Sequence, residues 1–410
     1  MTRLPSDPAP HGWRALLVRS TGQATRPVVW VIGFFAFLNV YSMQAVLPQI
    51  MRDLHITPLQ AGSTVGATVL AVALVSPFMG MLSDALGRKR ILCSALFALC
   101  IPTGLIASAQ GLNTLLVLRF LQGLTVPGIV VVLIAYLSEE FRDTGVARMT
   151  SAYVGGTVMG GFSGRFLTGH VSDFWGWRNA YLVLALLNLL GALWVLWALP
   201  SSRYFVANPH LGQALRTLAS HLRNRRFLAL CGLGFCVLSS LVGSFTYVNL
   251  YLAEAPFHLS SAGLANVFAV YLLGVVITPL AGRFIVRWGF LRAVLATLLL
   301  SAGGLLLTLL PSLAAVILGL ALSSCGVFIC QSATIGHIAD TVRQGRSLAT
   351  GIYYMSYYAG GATGAWVAGL AFEGWGWVGS VLSIIVLQGL AGVIALAFLG
   401  APAGPARAAT

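Results

Sequence analysis

The sequence predicts an all-α membrane protein of twelve transmembrane helices, arranged as two pseudo-symmetric six-helix bundles. Three observations carry this reading: the balance of apolar to charged residues, the spacing of long apolar segments, and an internal repeat at an offset of 200 residues. Hydrophobic residues make up 58% of the 410-residue chain and charged residues only 8%. A soluble chain of this size cannot hide so much apolar surface, and its exterior would carry roughly three times the charge.

A spanning helix needs roughly 20 mostly apolar residues. Residues 1–27 lack an apolar core and a small-residue cleavage site, so they are expected to be a cytoplasmic tail rather than a cleaved signal. Apolar segments then fall near 28–50, 61–82, 91–108, 113–137, 149–170 and 180–200, which make a first bundle over 28–200. Residues 201–226 are a polar linker, within which "LGQALRTLASHL" has the pattern of a short amphipathic helix on the membrane surface or of a plain basic connection. Segments resume near 227–252, 262–282, 293–310, 313–337, 348–371 and 378–399, a second bundle over 227–399, and residues 400–410 form a second cytoplasmic tail.

Basic residues set the orientation. Of 24 Lys and Arg, 20 lie in the tails or in loops after even-numbered spans, which puts both termini in the cytoplasm. The net charge of +14 is therefore a topology signal and not a nucleic-acid footprint, because the charges sit in short clusters between apolar runs. The six cysteines all lie in apolar segments without metal-ligand spacing, so they read as buried free thiols, and no metal or cofactor is expected.

The repeat aligns "YVGGTVMGGFSGRFLTG" (153–169) with "YYMSYYAGGATGAWVAG" (353–369), and "WGW" at 175–177 with "WGW" at 375–377. It pairs span 5 with span 11 in the same membrane orientation, as parallel repeats about an axis along the membrane normal require.

The loop "GMLSDALGRKRIL" (80–92) resembles the signature loop of the major facilitator superfamily through Gly80, Leu82, Asp84, Gly87, Arg88 and Lys89, with Arg90 the next basic residue of the same gating-loop candidate. A degenerate copy, "GRFIVRWGFLR" (282–292), lies between spans 8 and 9, with Val286 where the aspartate would be. "LRFLQGL" (118–124), "GWR" (176–178) and "LPSSR" (199–203) also fit, so the resemblance covers nearly the whole chain. Within the superfamily it is most similar to bacterial YnfM-type inner-membrane transport proteins, which are grouped with drug and sugar efflux permeases. The resemblance implies a monomeric secondary transporter in the bacterial inner membrane, in contact with lipid, that exports a small-molecule substrate by alternating access and proton antiport. In that mechanism the 80–90 loop would hold the two halves together in one state and release them in the other.

The resemblance also implies that spans 1, 4, 7 and 10 line a central cavity, and the sequence separately concentrates polar residues there. The candidates for substrate binding or coupling are Asn39, Gln44, Arg119, Gln122, Arg165, Tyr247, Asn249, Gln331 and His337, with Glu254 at a boundary. The amides Gln44, Asn249 and Gln331 stand out because a lone amide is harder to satisfy within its own helix. Arg119 and Arg165 stand out more, since a charge within a span costs ~2–3 kcal/mol even on insertion scales. Gly156, Gly160, Gly161, Gly164 and Gly169, with Gly360, Gly361 and Gly364 in the repeat, are expected to bring span 5 close to a helix of the other half. Arg165, whose repeat partner is Ala365, would be either a substrate ligand or a latch on the outer gate.

None of the ten acidic residues lies at a span centre, so proton coupling has no evident carboxylate and would fall to a boundary residue such as Glu254 or Asp53, to a histidine such as His337, or to none. Two alternatives remain open: an organic-anion carrier or uncoupled facilitator using the arginines, and, more remotely, a membrane sensor that moves nothing. Enzymatic function is not expected, for want of a metal cluster, nucleophile motif or phosphate loop.

Overall fold

The computed structural model describes residues 12–141, 144–202, 220–342 and 346–400. The "LGQALRTLASHL" segment falls mostly outside these residues, as do most of the C-terminal tail and the start of the N-terminal one. No strand occurs among the described residues.

Span 1 is the helix Gly12–Leu38, a break, a 3-10 turn Ser42–Val46 and the helix Leu47–Leu54. Pro48 sits in the first turn of Leu47–Leu54, where its missing N–H would have had no partner within the helix. The two parts meet at 43°. Spans 2, 3 and 4 are Pro58–Leu86, Arg88–Leu105 with a 3-10 extension Ile106–Ser108, and Leu112–Glu140. Span 7 is Arg225–Ala253, span 9 Phe290–Leu307 and span 10 Leu313–Thr341. Span 8 is the helix Ser261–Val267, a 3-10 turn Phe268–Leu272 and the helix Leu273–Trp288.

Spans 5 and 6 lie together in Thr144–Ala198, interrupted at Gly176 (φ 79°), and spans 11 and 12 in Arg346–Leu399, interrupted at Trp375 and Gly376 (φ 60°). A straight helix of that length would run ~80 Å, far beyond a hydrocarbon core of ~30 Å. Side-chain neighbours show the reversal. A Cβ on Gly160 would meet Phe34, and one on Gly191 would meet Phe35, so the chain before and after Gly176 lies beside the same turn of span 1. In the second bundle Ser380 Oγ donates to the carbonyl of Ala368, 2.8 Å across the turn at Gly376. Left-handed φ at both turns is the reason each is a glycine. The twelve helices of the sequence reading are all present.

The glycines of span 5 pack differently from the expectation. Cβ atoms on Gly156, Gly160 and Gly164 would lie 2.1, 2.1 and 1.9 Å from the carbonyl oxygens of Trp30, Phe34 and Leu38. These contacts bind span 5 to span 1 of its own bundle. Gly360 and Gly364 repeat the arrangement on Phe235 and Ser239 of span 7. Of the set, Gly169 reaches the other bundle, against Ser261 and Ala265 of span 8, and Gly361 reaches Val69 of span 2. Gly161 has only the Arg165 side chain of its own helix nearby. The small-residue stripe thus welds each bundle internally, and the seam between bundles is made by span 5 on span 8 and span 2 on span 11.

Candidate site at the seam between the bundles

The two arginines occupy different environments. Arg119, with no exposed surface, donates to carbonyls of Thr64 (3.2 Å), Asn39 (3.0 Å) and Val40 (2.7 Å) and to Gln122 Oε1 (2.6 Å). The Asn39 and Val40 carbonyls are those freed by the break in span 1. Gln122 donates onward to Thr103, and Asn39 exchanges two hydrogen bonds of 3.0 Å with Asn188. Arg119, Gln122 and Asn39 therefore form a closed network inside the first bundle. Ser240 and Gln388 meet at the pseudo-equivalent place in the second bundle.

Arg165, 1% exposed, sits at the seam. Its Nε donates to Gln44 Oε1 and its Nη1 to the Gly161 carbonyl, both at 2.8 Å. Gln44 in turn donates to Thr246 Oγ1 of span 7 at 2.9 Å, so one amide joins the two bundles. The guanidinium carbon lies 4.9 Å from the ring centroid of Tyr41 and 4.5 Å from those of Phe268 and Tyr271. Phe245 packs edge-on to Tyr271 and closes the cage. Nη2 has no hydrogen-bond partner. Neither arginine forms an ion pair among the described residues.

The remaining candidates are dispersed. Tyr247 donates to the Ala365 carbonyl at 2.7 Å and packs over Gly62, so it is seam packing. Asn249 donates to the Phe245 carbonyl four residues back in its own helix, against the expectation that an isolated amide looks elsewhere. Glu254 is exposed beyond the end of span 7. His337 stacks on Phe290 at 4.2 Å, within the second bundle and away from the Arg165 cage. Gln331 is half-buried on span 10. Gln44 and Arg165 are thus two candidates that bond each other within the first bundle and face the second across the seam, through Thr246 of span 7 and the rings of span 8.

Sequence reading missed Phe268 and Tyr271, which look like ordinary apolar filling of span 8. Their spacing of three residues, matched to the 3-10 turn, puts both rings on one side. It also missed the partners of the conspicuous 80–90 loop. Arg88 binds Asp84, Ser83 and Glu139 (2.5 Å), and Lys89 donates to the Leu199 carbonyl, while Arg90 is exposed. All of these partners belong to the first bundle, so the described contacts of this loop do not bridge the halves.

The bridging contacts lie at the opposite end of the molecule. Asp173 Oδ2 accepts from Ser260 Oγ (2.7 Å) and from the Ala262 amide (3.1 Å) at the start of span 8. Glu373 Oε1 accepts from the Leu59 amide (3.2 Å) at the start of span 2. Asp173 and Glu373 are one repeat apart, and each caps a helix N-terminus of the other bundle, where a negative charge is favoured.

The sequence profile of the Major Facilitator Superfamily matches residues 29–277 and 245–410. The chain belongs to the Major Facilitator Superfamily. As a superfamily member it is a multi-pass membrane transporter and not an enzyme. It is 29% identical to the MFS-type transporter YybF of Bacillus subtilis strain 168, over 85% of this chain and 87% of that one. It is 30% identical to the inner membrane transport protein YnfM of Escherichia coli K12, over 87% of each chain. Among solved structures, a bacterial homologue of the human lysosomal transporter Spinster, inward-facing and unoccupied, superposes with a TM-score of 0.74 at 16% identity, covering 94% of this chain and 99% of that one. At that identity the likeness concerns the fold of this superfamily member.

Proposed function

We propose that this chain is an alternating-access carrier that exports small organic molecules, drug- or sugar-like, across the bacterial inner membrane by proton antiport. It works as a monomer with both termini in the cytoplasm, and the bundles 28–200 and 227–399 rock about the seam. The observation that carries the reading is the asymmetry of the seam. At the end away from the basic loops, a carboxylate from each bundle caps a helix of the other, Asp173 on span 8 and Glu373 on span 2. Among the described residues, by contrast, the ion pairs of the basic 80–90 loop, Arg88 with Asp84 and Glu139, lie within the first bundle. A molecule held across its bundles at one end is a carrier in which that end is closed. Opening it requires breaking the Asp173 and Glu373 caps, parting span 5 from span 8 and separating Gln44 from Thr246.

The acidic residues favour a second reading, an uncoupled facilitator: none lies at a span centre, and Glu254 is exposed. Solute flux in proteoliposomes separates the two. Antiport predicts that an imposed pH gradient drives solute uphill; flux that ignores the gradient leaves facilitated diffusion. If sugars, organic anions and cationic dyes all fail to cross with monodisperse protein, the carrier reading is wrong.

A further inference from the structure

Arg165 is a buried cation that its surroundings satisfy only in part. Two N–H groups are spoken for, by Gln44 and by the Gly161 carbonyl, and Nη2 has no acceptor. No carboxylate pairs with it among the described residues. Its charge is compensated by the faces of three rings, and two of these, Phe268 and Tyr271, belong to span 8 of the other bundle. Arg119 is the internal control. It is as deeply buried, but its donors end on carbonyls and an amide of its own bundle, so separation of the bundles leaves its bonds intact.

When spans 5 and 8 part, Arg165 behaves differently. It keeps Gln44, Gly161 and Tyr41, all in its own bundle, and loses the two rings that shielded it. What remains is a guanidinium with an open edge beside Tyr41, with Phe268 and Tyr271 facing it across the gap. An anion is the ligand that edge requires, and the planar fork suits a carboxylate better than a lone pair on a neutral group. The rings favour a flat apolar body attached to it. In the closed molecule the span 8 rings take the anion's place, by attraction of the cation to their faces.

We infer that Arg165 is the anion-binding group of the transport pathway, and that the substrate class is small organic carboxylates with a flat, apolar body. This rests on the alternating-access reading, since the site is enclosed until the seam opens. It would explain why the first bundle alone carries the charge: Ala365 stands at the repeat position, so there is one anion site and not two.

The test uses the purified full chain in detergent, with benzoate and cinnamate as probes and their isosteric amides, benzamide and cinnamamide, as neutral controls. The expected result is saturable binding of both carboxylates and little of the amides. Arg165→Gln should weaken carboxylate binding ~10–100-fold, the worth of a charge-assisted hydrogen bond, while Arg165→Lys retains the preference for carboxylate over amide. The wild-type comparison of acid with amide stands even if the Gln variant does not fold. Equal binding of acids and amides, or unchanged binding in a folded Arg165→Gln variant, overturns the proposal. So does transport of neutral or cationic solutes with no binding of either acid, in which case the carrier reading survives. Absence of flux for solutes of every class overturns the carrier reading itself.

Discussion

At the scale of single residues, a buried arginine takes its meaning from which bundle owns its acceptors. Arg119 closes the break in span 1 by collecting the carbonyls of Asn39 and Val40. Replacing it with leucine strands those carbonyls in a dry interior, where each unmet group costs ~1–3 kcal/mol. We expect Arg119→Leu to lose on the order of 3 kcal/mol in total, read as a lower unfolding temperature in detergent. Arg165→Gln gives up two hydrogen bonds and the ring contacts, against four hydrogen bonds for Arg119, so its unfolding temperature should fall less than that of Arg119→Leu; an equal or larger fall would mark Arg165 as structural. The sequence displayed both arginines as equal oddities. It could not show that the donors of one are consumed locally, because the carbonyls freed at the break in span 1 are placed beside Arg119 only by packing.

At the scale of elements, the glycine stripe of span 5 was visible as spacing, but its facing partner was not. Three glycines four residues apart fit against three span 1 carbonyls four residues apart, which is a match between two helices and not a property of one. Gly160→Ala puts a methyl 2.1 Å from the Phe34 carbonyl oxygen, so span 5 must move. We expect it to cost ~1–3 kcal/mol through overpacking. Gly161→Ala meets its nearest neighbour at 3.6 Å and should be neutral or slightly stabilising. Unfolding of the two variants side by side checks the assignment, and equal losses would refute it.

A smaller element-scale contact joins the end of span 1 to the start of span 6. Asp53 accepts from Arg178 and, at 3.1 Å, from Trp177 Nε1. The Arg178 hydrogen bond is the main reason its carboxyl is held below the ordinary carboxylate value, with Trp177 adding in the same direction against some desolvation. A depressed value means that the stabilisation is present above the unfolded pKa of ~3.9 and is lost as pH falls through the folded one. The pair is solvent-exposed, so the gain is small. The unfolding temperature of Asp53→Asn should therefore sit slightly below wild type at neutral pH, with the gap closing in acid.

At the scale of the whole molecule, the caps at Asp173 and Glu373 are a two-fold related clasp on one end of the seam. Each acceptor meets the N-terminus of a helix in the opposite bundle, so removing both should favour separation at that end without touching either core. The prediction concerns spin labels at Phe174 and His258, which flank the Asp173 contact, in a chain cleared of native cysteines. In Asp173→Ala, Glu373→Ala the distance distribution should move to longer values. An unchanged distribution would show that span packing alone holds this end closed.

The sequence by itself determined the solvent, the number of spans, the duplication and the family, because each is written in local composition or in residues repeated at fixed spacing. Apolar length sets a membrane helix whatever it packs against, and the Gly-Arg-Lys loop declares itself without a partner. Only the tertiary structure decided which polar residues meet: that Arg119 serves its own bundle, that Arg165 faces span 8, that the basic loop pairs internally, and that two loop acids clasp the far end. Those outcomes depend on which faces of separate helices come together. A hydrogen bond or ring contact spans a few ångströms in space, while its two ends stand about 120 residues apart in the case of Arg165 with Gln44 and about 90 for Asp173 with Ser260.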